Sequence, residues 1–150
     1  MTLYFSRMDC ISNIRKLAWV KFNEAECLFE NGYYDWSYYT AGYTIELLLK
    51  AAVCKALGIE DFYHENSEIL KALKYPQTFR SHDFEQLLML SGVYMRLENK
   101  ADADDLFRAD WLTVCEWSEG SRYLTGKTQQ NVQNFLILVK KIALWIEGKL

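Results

Sequence analysis

A bundle of α-helices is the architecture this sequence encodes, and three observations point to it. Pro occurs once and Gly seven times in 150 residues, too few breakers for the frequent turns of a many-stranded sandwich. Apolar residues recur three and four positions apart over long stretches, the spacing that gathers them on one helical face. Hydrophobic residues make up 51% of the chain, enough to offset the entropy of ordering it around a core. The length is that of one domain, expected to span residues 1–150.

Taken in order, the first helix carries Ile14, Leu17, Ala18, Phe22, Ala25, Leu28 and Phe29 on one side and Lys16, Asn23, Glu26 and Glu30 on the other. Asp9 or Ser12 is its expected cap, and Asn31-Gly32 its stop. The second helix is expected to start after Asp35 as N-cap and run to Leu57, with Gly58 closing it. It is apolar almost all round, from Trp36 through Ile45, Leu47, Leu48 and Leu49 to Val53, the mark of a helix buried on several sides. Gly42 in its middle costs about 1 kcal/mol against Ala, a penalty explained if a backbone or bulky ring comes close there.

Residues 59–80 have a weaker pattern broken by Pro76 and are expected to form a long connection with one short helix near Ser67 to Lys74. Ser81 is the expected cap of a short third helix with Phe84, Leu87 and Leu88, ending near Gly92. Val93 to Lys100 is ambiguous. A fourth helix is expected to hold Ala103, Leu106, Phe107, Asp110, Trp111, Val114 and Trp117 behind an acidic first turn of Asp102, Asp104 and Asp105. Ser118 to Gly126 reads as a loop. The fifth helix starts near Thr125 or Thr128 and gathers Val132, Phe135, Leu136, Val139, Ile142, Ala143 and Ile146 on one face. The fold class is therefore all-α, with four to five helices and a long connection between the second and third.

A formal charge of -3 and a pI near 5.4 supply no global positive field, which argues against nonspecific nucleic-acid binding. Cys10, Cys27, Cys54 and Cys115 form no C-x-x-C pair, and two histidines complete no metal-ligand pattern. No metal and no cofactor is expected. Cys27 and Cys54 fall in apolar helical patterns, as reduced cysteines of a cytoplasmic protein do. No apolar run is long enough to span a bilayer, and the N-terminus lacks the apolar stretch of a signal peptide.

Three segments carry a resemblance. Asn31-Gly32-Tyr33-Tyr34-Asp35, followed by Ala41-Gly42 and Glu46-Leu47-Leu48-Leu49-Lys50-Ala51, is similar to the HEPN family (higher eukaryotes and prokaryotes nucleotide-binding), where a helix ends at Gly and the next holds an E-x-x-x-K-A core. Ser81-His82-Asp83-Phe84 with Leu87-Leu88 resembles that family's T-H-D-L-x-x-L-L segment. Trp117 with Arg122-Tyr123 resembles its W-x-x-x-x-R-Y ending. The three together cover about residues 12 to 148. The resemblance implies an up-and-down bundle of four or five helices that forms a homodimer, often with a small nucleotidyltransferase partner encoded beside it, as in toxin-antitoxin pairs. Some members are metal-independent RNases that use an R-x4-6-H motif from both copies. There, histidine moves protons while arginine stabilises charge developing on phosphorus. That motif is missing: Arg80 stands two positions before His82, and no histidine follows Arg108 or Arg122. A non-catalytic binding module for a protein partner or a nucleotide is the reading this favours. The alternative is a toxin-type RNase with atypical residues such as Arg80, His82 and Arg122.

The candidate ligand- or partner-binding residues are Arg80, His82, Asp83, Arg122 and Tyr123, and no residue is assigned a catalytic role. Glu46 and Lys50, four apart with Glu first, form either a solvated pair or a structural pair held out of water; the apolar surroundings favour the second. His82 reads as a helix-start histidine satisfying a backbone group, or as a contact that, with Arg80, receives a phosphate at the helix N-terminus. Arg122 either pairs with Glu116 or Glu119 or clamps a phosphate. Tyr33, Tyr34, Trp36, Tyr38, Tyr39 and Tyr43 suit core and dimer packing more than base stacking.

Overall fold

The computed structural model describes residues 10–58 and 81–150. These form six α-helices and one 3-10 turn: α1 (Cys10–Glu30), α2 (Tyr34–Leu57), α3 (Phe84–Leu90), α4 (Tyr94–Ala103), α5 (Asp105–Val114), the turn (Glu119–Tyr123) and α6 (Gln129–Glu147). Among the described residues the chain is all-α. The expected long connection, its short helix near Ser67 to Lys74, and the Asp9 cap lie outside the described residues.

Three long helices make the frame. Gly32, at φ 81, lets Asn31-Gly32-Tyr33 turn α1 into an antiparallel hairpin with α2, since that region admits residues with a Cβ only at a cost. The hairpin is fastened where the Ser37 hydroxyl donates to the Ala25 carbonyl at 2.7 Å. Helix α6 lies antiparallel to α1, with Arg15 on Glu147 at 3.0 Å and Lys140 6.0 Å over the Phe22 ring. Against α2 it packs Phe135 on Tyr38, ring centroids 4.2 Å apart. The α6 residues expected on its core face, Val132 to Ile146, are all buried.

Helix α2 is the centre of the bundle. Ile45, Leu48, Leu49, Ala51, Val53 and Cys54 are fully covered, because α1, α3, α6 and the 3-10 turn all pack against it. Gly58 closes it in the left-handed region at φ 64. Each buried aliphatic side chain here contributes about 1.5–3 kcal/mol relative to exposure, so the bundle depends on this helix more than on any other.

Several local expectations are corrected. Ser12 does not cap α1, because the helix already includes Cys10 and Ser12 sits inside it. Asp35 is not the N-cap of α2, which starts at Tyr34. Its carboxylate instead accepts the backbone N–H groups of Gly126 at 3.2 Å and Lys127 at 2.8 Å, so a first-turn acid pins a distant loop. The cap of α3 is Asp83, which accepts from the Gln86 N–H, while Ser81 accepts from the Asp83 N–H. The acidic run does not open one helix. Asp104 is extended at φ -146 and accepts from the Phe107 N–H, ending α4 after Ala103 and starting α5, and Trp117 falls beyond α5. Cys27 is exposed and only Cys54 is buried, since Cys27 lies on the outer side of α1. None of the described helices is long and apolar enough to cross a membrane.

Candidate functional site: an ion chain from the core to the surface

One side of α2 carries Trp36, Tyr39, Tyr43, Glu46 and Lys50, each three or four residues from the next and so stacked in a stripe. Its inner end is ionic. Lys50 Nζ donates to Glu46 Oε1 at 2.7 Å, with the side chains only 7% and 2% exposed. Two opposite charges in a site this dry must be paired, because an unbalanced one would cost several kcal/mol of lost hydration.

His82, just before α3, carries the chain outward. Its Nδ1 lies 2.9 Å from Glu46 Oε2 and its Nε2 lies 3.3 Å from Glu119 Oε2 on the 3-10 turn. Carboxylates only accept, so the ring bonds to both when each nitrogen carries a proton. On its far side Glu119 meets Arg122 at 3.6 Å, and the Arg122 guanidinium stands 5.0 Å over the Tyr123 ring. The order Lys50, Glu46, His82, Glu119, Arg122 thus interleaves acids with nitrogen bases from the core of the bundle to solvent. His82 is not the backbone-satisfying helix-start residue that its position suggests. Sequence neighbours give no sign of this contact, because Glu46 and His82 are 36 positions apart.

Aromatic rings pack along the middle of the chain. Trp117 Nε1 donates to the Tyr39 carbonyl at 3.0 Å, its ring stacks on Phe84 at 5.2 Å, and it lies edge-on to Tyr43. Tyr43 stands edge-on to His82 and shares a 2.7 Å hydroxyl contact with Tyr39. Burial, first, and then the Tyr39 hydroxyl and the Glu46 and Glu119 carboxylates push the Tyr43 hydroxyl above the ordinary tyrosine range.

Beside His82 opens a cleft of about 310 Å³ lined by His82, Asp83, Phe84, Glu85, Cys115, Trp117 and Ser118. Burial pushes the Cys115 thiol up to about 12, helped by Glu85 and Asp83, so the cleft is electronegative as well as partly dry. Only the thiolate attacks electrophiles, and a raised value leaves less of it at any given pH. Iodoacetamide at pH 8 will therefore alkylate the exposed Cys27 well before Cys115, as peptide mass spectrometry resolves. Equal rates at the two positions would show that the cleft is open and that its field is weak.

The structure thus gathers His82, Arg122 and the Glu46–Lys50 pair into one chain, with Glu119 as the link. Asp83 is held back as the cap of α3, and Tyr123 is 77% exposed. Arg80 lies outside the described residues. Among the described residues no group of three or more His, Cys, Asp or Glu side chains is arranged to hold a metal ion.

The HEPN domain family matches this sequence over residues 12–149, nearly the whole chain. The chain belongs to the HEPN family. Comparison with curated proteins and with solved structures returns no match. In this HEPN chain the E-x-x-x-K-A core is the buried Glu46–Lys50 pair. The segment around His82 and the W-x-x-x-x-R-Y ending are the two places from which the ion chain is completed. The three segments that mark the sequence are therefore one cluster in space, brought together on the same side of α2.

Proposed function

We propose that this HEPN chain is a non-catalytic module of one domain, acting in the cytoplasm as a homodimer that binds a protein partner of the minimal nucleotidyltransferase kind. One observation carries the reading. Both nitrogens of His82 face carboxylates, at 2.9 and 3.3 Å, and Arg122 faces one of the same carboxylates. Cleavage of RNA needs an imidazole free to move a proton and a cation aimed at phosphorus. Here the imidazole and the cation are spent on Glu46 and Glu119. A phosphate entering the cluster would face Glu119, Asp83 and Glu85 beside the guanidinium of Arg122, itself on Glu119, which disfavours a nucleotide as well as a phosphodiester. A protein surface has no such difficulty, since its own polar groups adapt to a mixed-charge face.

The test is purified protein mixed with labelled single-stranded RNA in a chelator, alongside melts with nucleotides and co-purification with a nucleotidyltransferase encoded beside it. Intact RNA, unshifted melts and a stable complex are expected. Cleavage that disappears in His82→Ala would replace this reading with the RNase one. A melting temperature that rises with a nucleotide would favour the ligand reading, because only a ligand that prefers the folded state raises it.

A further inference from the structure

The 3-10 turn is anchored ahead and behind. Ahead of it Trp117 Nε1 donates to the Tyr39 carbonyl, and behind it Asp35 accepts from the Gly126 and Lys127 N–H groups. Between these anchors, among the described residues, the ionic tie from the turn to the rest of the bundle is Glu119 on His82 Nε2, at 3.3 Å. The other ring nitrogen, Nδ1, lies 2.9 Å from Glu46. A carboxylate offers no proton, so a ring with two N–H groups serves both acids. A ring with one N–H serves a single acid and turns a lone pair on the other. Imidazole ordinarily crosses between these forms between about pH 5 and 8. Burial decides which acid lets go. Glu46 is 2% exposed, so a lost ring contact there would leave a carboxylate oxygen that water does not readily reach. Glu119 is 38% exposed and keeps Arg122, so it regains water at little cost.

We infer that His82 is a proton-operated latch: with two N–H groups the ring fastens the 3-10 turn to α2, and with one it stays on Glu46 and releases Glu119. The other groups around the ring do not switch with it. On α2, Tyr43 stands edge-on to the ring and Lys50 lies behind Glu46. At the start of α3, Asp83 and Glu85 line the cleft beside it, and Cys115 lines the same cleft from the end of α5. On the turn, Arg122 lies behind Glu119. Burial first, and then the neighbouring acids, hold the Tyr43 hydroxyl above the ordinary tyrosine range and the Cys115 thiol up at about 12, so both stay neutral while an imidazole changes. Carboxylates, ammonium and guanidinium groups ordinarily titrate well outside that interval. The latch needs neither the partner nor the homodimer proposed above. Arg122 moves with Glu119, so release frees no cation for a phosphate. What release alters is the wall of the cleft, because Trp117 and Ser118 line it and lead directly into the turn.

Amide exchange of the full chain, followed by NMR between about pH 5 and 8 with each rate divided by its intrinsic value, tests the latch. The reporters are the N–H groups of Ser121 and Leu124, which bond within the turn at 2.9 and 3.1 Å, and the ring C–H signal of His82. Protection of both amides should fall by roughly three- to tenfold as pH rises, the worth of one hydrogen bond. The fall should share the midpoint of the ring's own titration, while the amides of α6 keep their protection. In Glu119→Gln the carboxamide can accept from an N–H or donate to a lone pair, so protection of the turn should be the same at every pH. His82→Gln, which has no titrating ring, should be flat as well, and Glu119→Gln decides alone should that variant not fold. Wild-type protection that stays level through the ring's titration overturns the latch. So does a fall shared equally by α6, or one that persists in Glu119→Gln.

Discussion

Replacing Glu46 with alanine will lower the melting temperature by about 10 °C. Removing one partner of a buried ion pair costs about 3–5 kcal/mol, and each kcal/mol shifts a domain of this size by about 2–4 °C. Glu46 is the larger liability of the two because it serves Lys50 and His82 together, at 2.7 and 2.9 Å. The ring of His82 is 38% exposed and regains water in the variant. Glu46→Leu combined with Lys50→Met should recover part of the stability, since neither charge of the pair is then left without the other. Calorimetry distinguishes the outcomes. A melt unchanged by Glu46→Ala would mean that water reaches the pair, and the account of α2 as a buried ionic rod would fail.

What could be read in advance follows physical range. Helix α6 was legible because all its information is local: Thr128 caps it by accepting from the Asn131 N–H, and its apolar positions fall on one stripe. The burial of α2 was legible because a helix with no polar face has nowhere else to go. Gly42 announced a close approach but not which ring makes it. Where two local signals compete, the sequence alone misleads. Ser81 and Asp83 are both good caps, and Asp83 takes the role because α3 has to begin at Phe84 to bury that ring. Asp104 breaks an acidic stretch into two helices by capping the second, a choice that composition cannot express. Asp35 is the sharper case, since its position is right for a cap and its partners lie 91 and 92 residues away. The ion chain belongs to the same class. Helical spacing offers its two end links, Glu46 with Lys50 and Arg122 with Glu119, but the link through His82 exists only after α2, α3 and the 3-10 turn have packed.

Gly42 carries the second large effect. An added Cβ would lie 2.1 to 2.2 Å from three atoms of the Trp117 ring, far inside contact distance, and Trp117 is 3% exposed. In Gly42→Ala the indole has to withdraw, giving up its stack on Phe84 and its N–H bond to the Tyr39 carbonyl. Overpacking costs about 1–3 kcal/mol, and a clash with three ring atoms puts this case near the upper end, against about 1 kcal/mol that alanine gains over glycine inside a helix. The net loss is about 2 kcal/mol, a fall of about 6 °C in melting temperature. The opposition of these two terms gives the decisive control. In a Trp117→Leu background the ring is gone and only the helix propensity remains, so there Gly42→Ala should raise the melting temperature. Contacting residues that conflict through one atom must show such a reversal in a double-mutant cycle. A loss of the same size in both backgrounds would mean that Gly42 is required for its backbone, and that Trp117 is not the wedge that sets the 3-10 turn against α2.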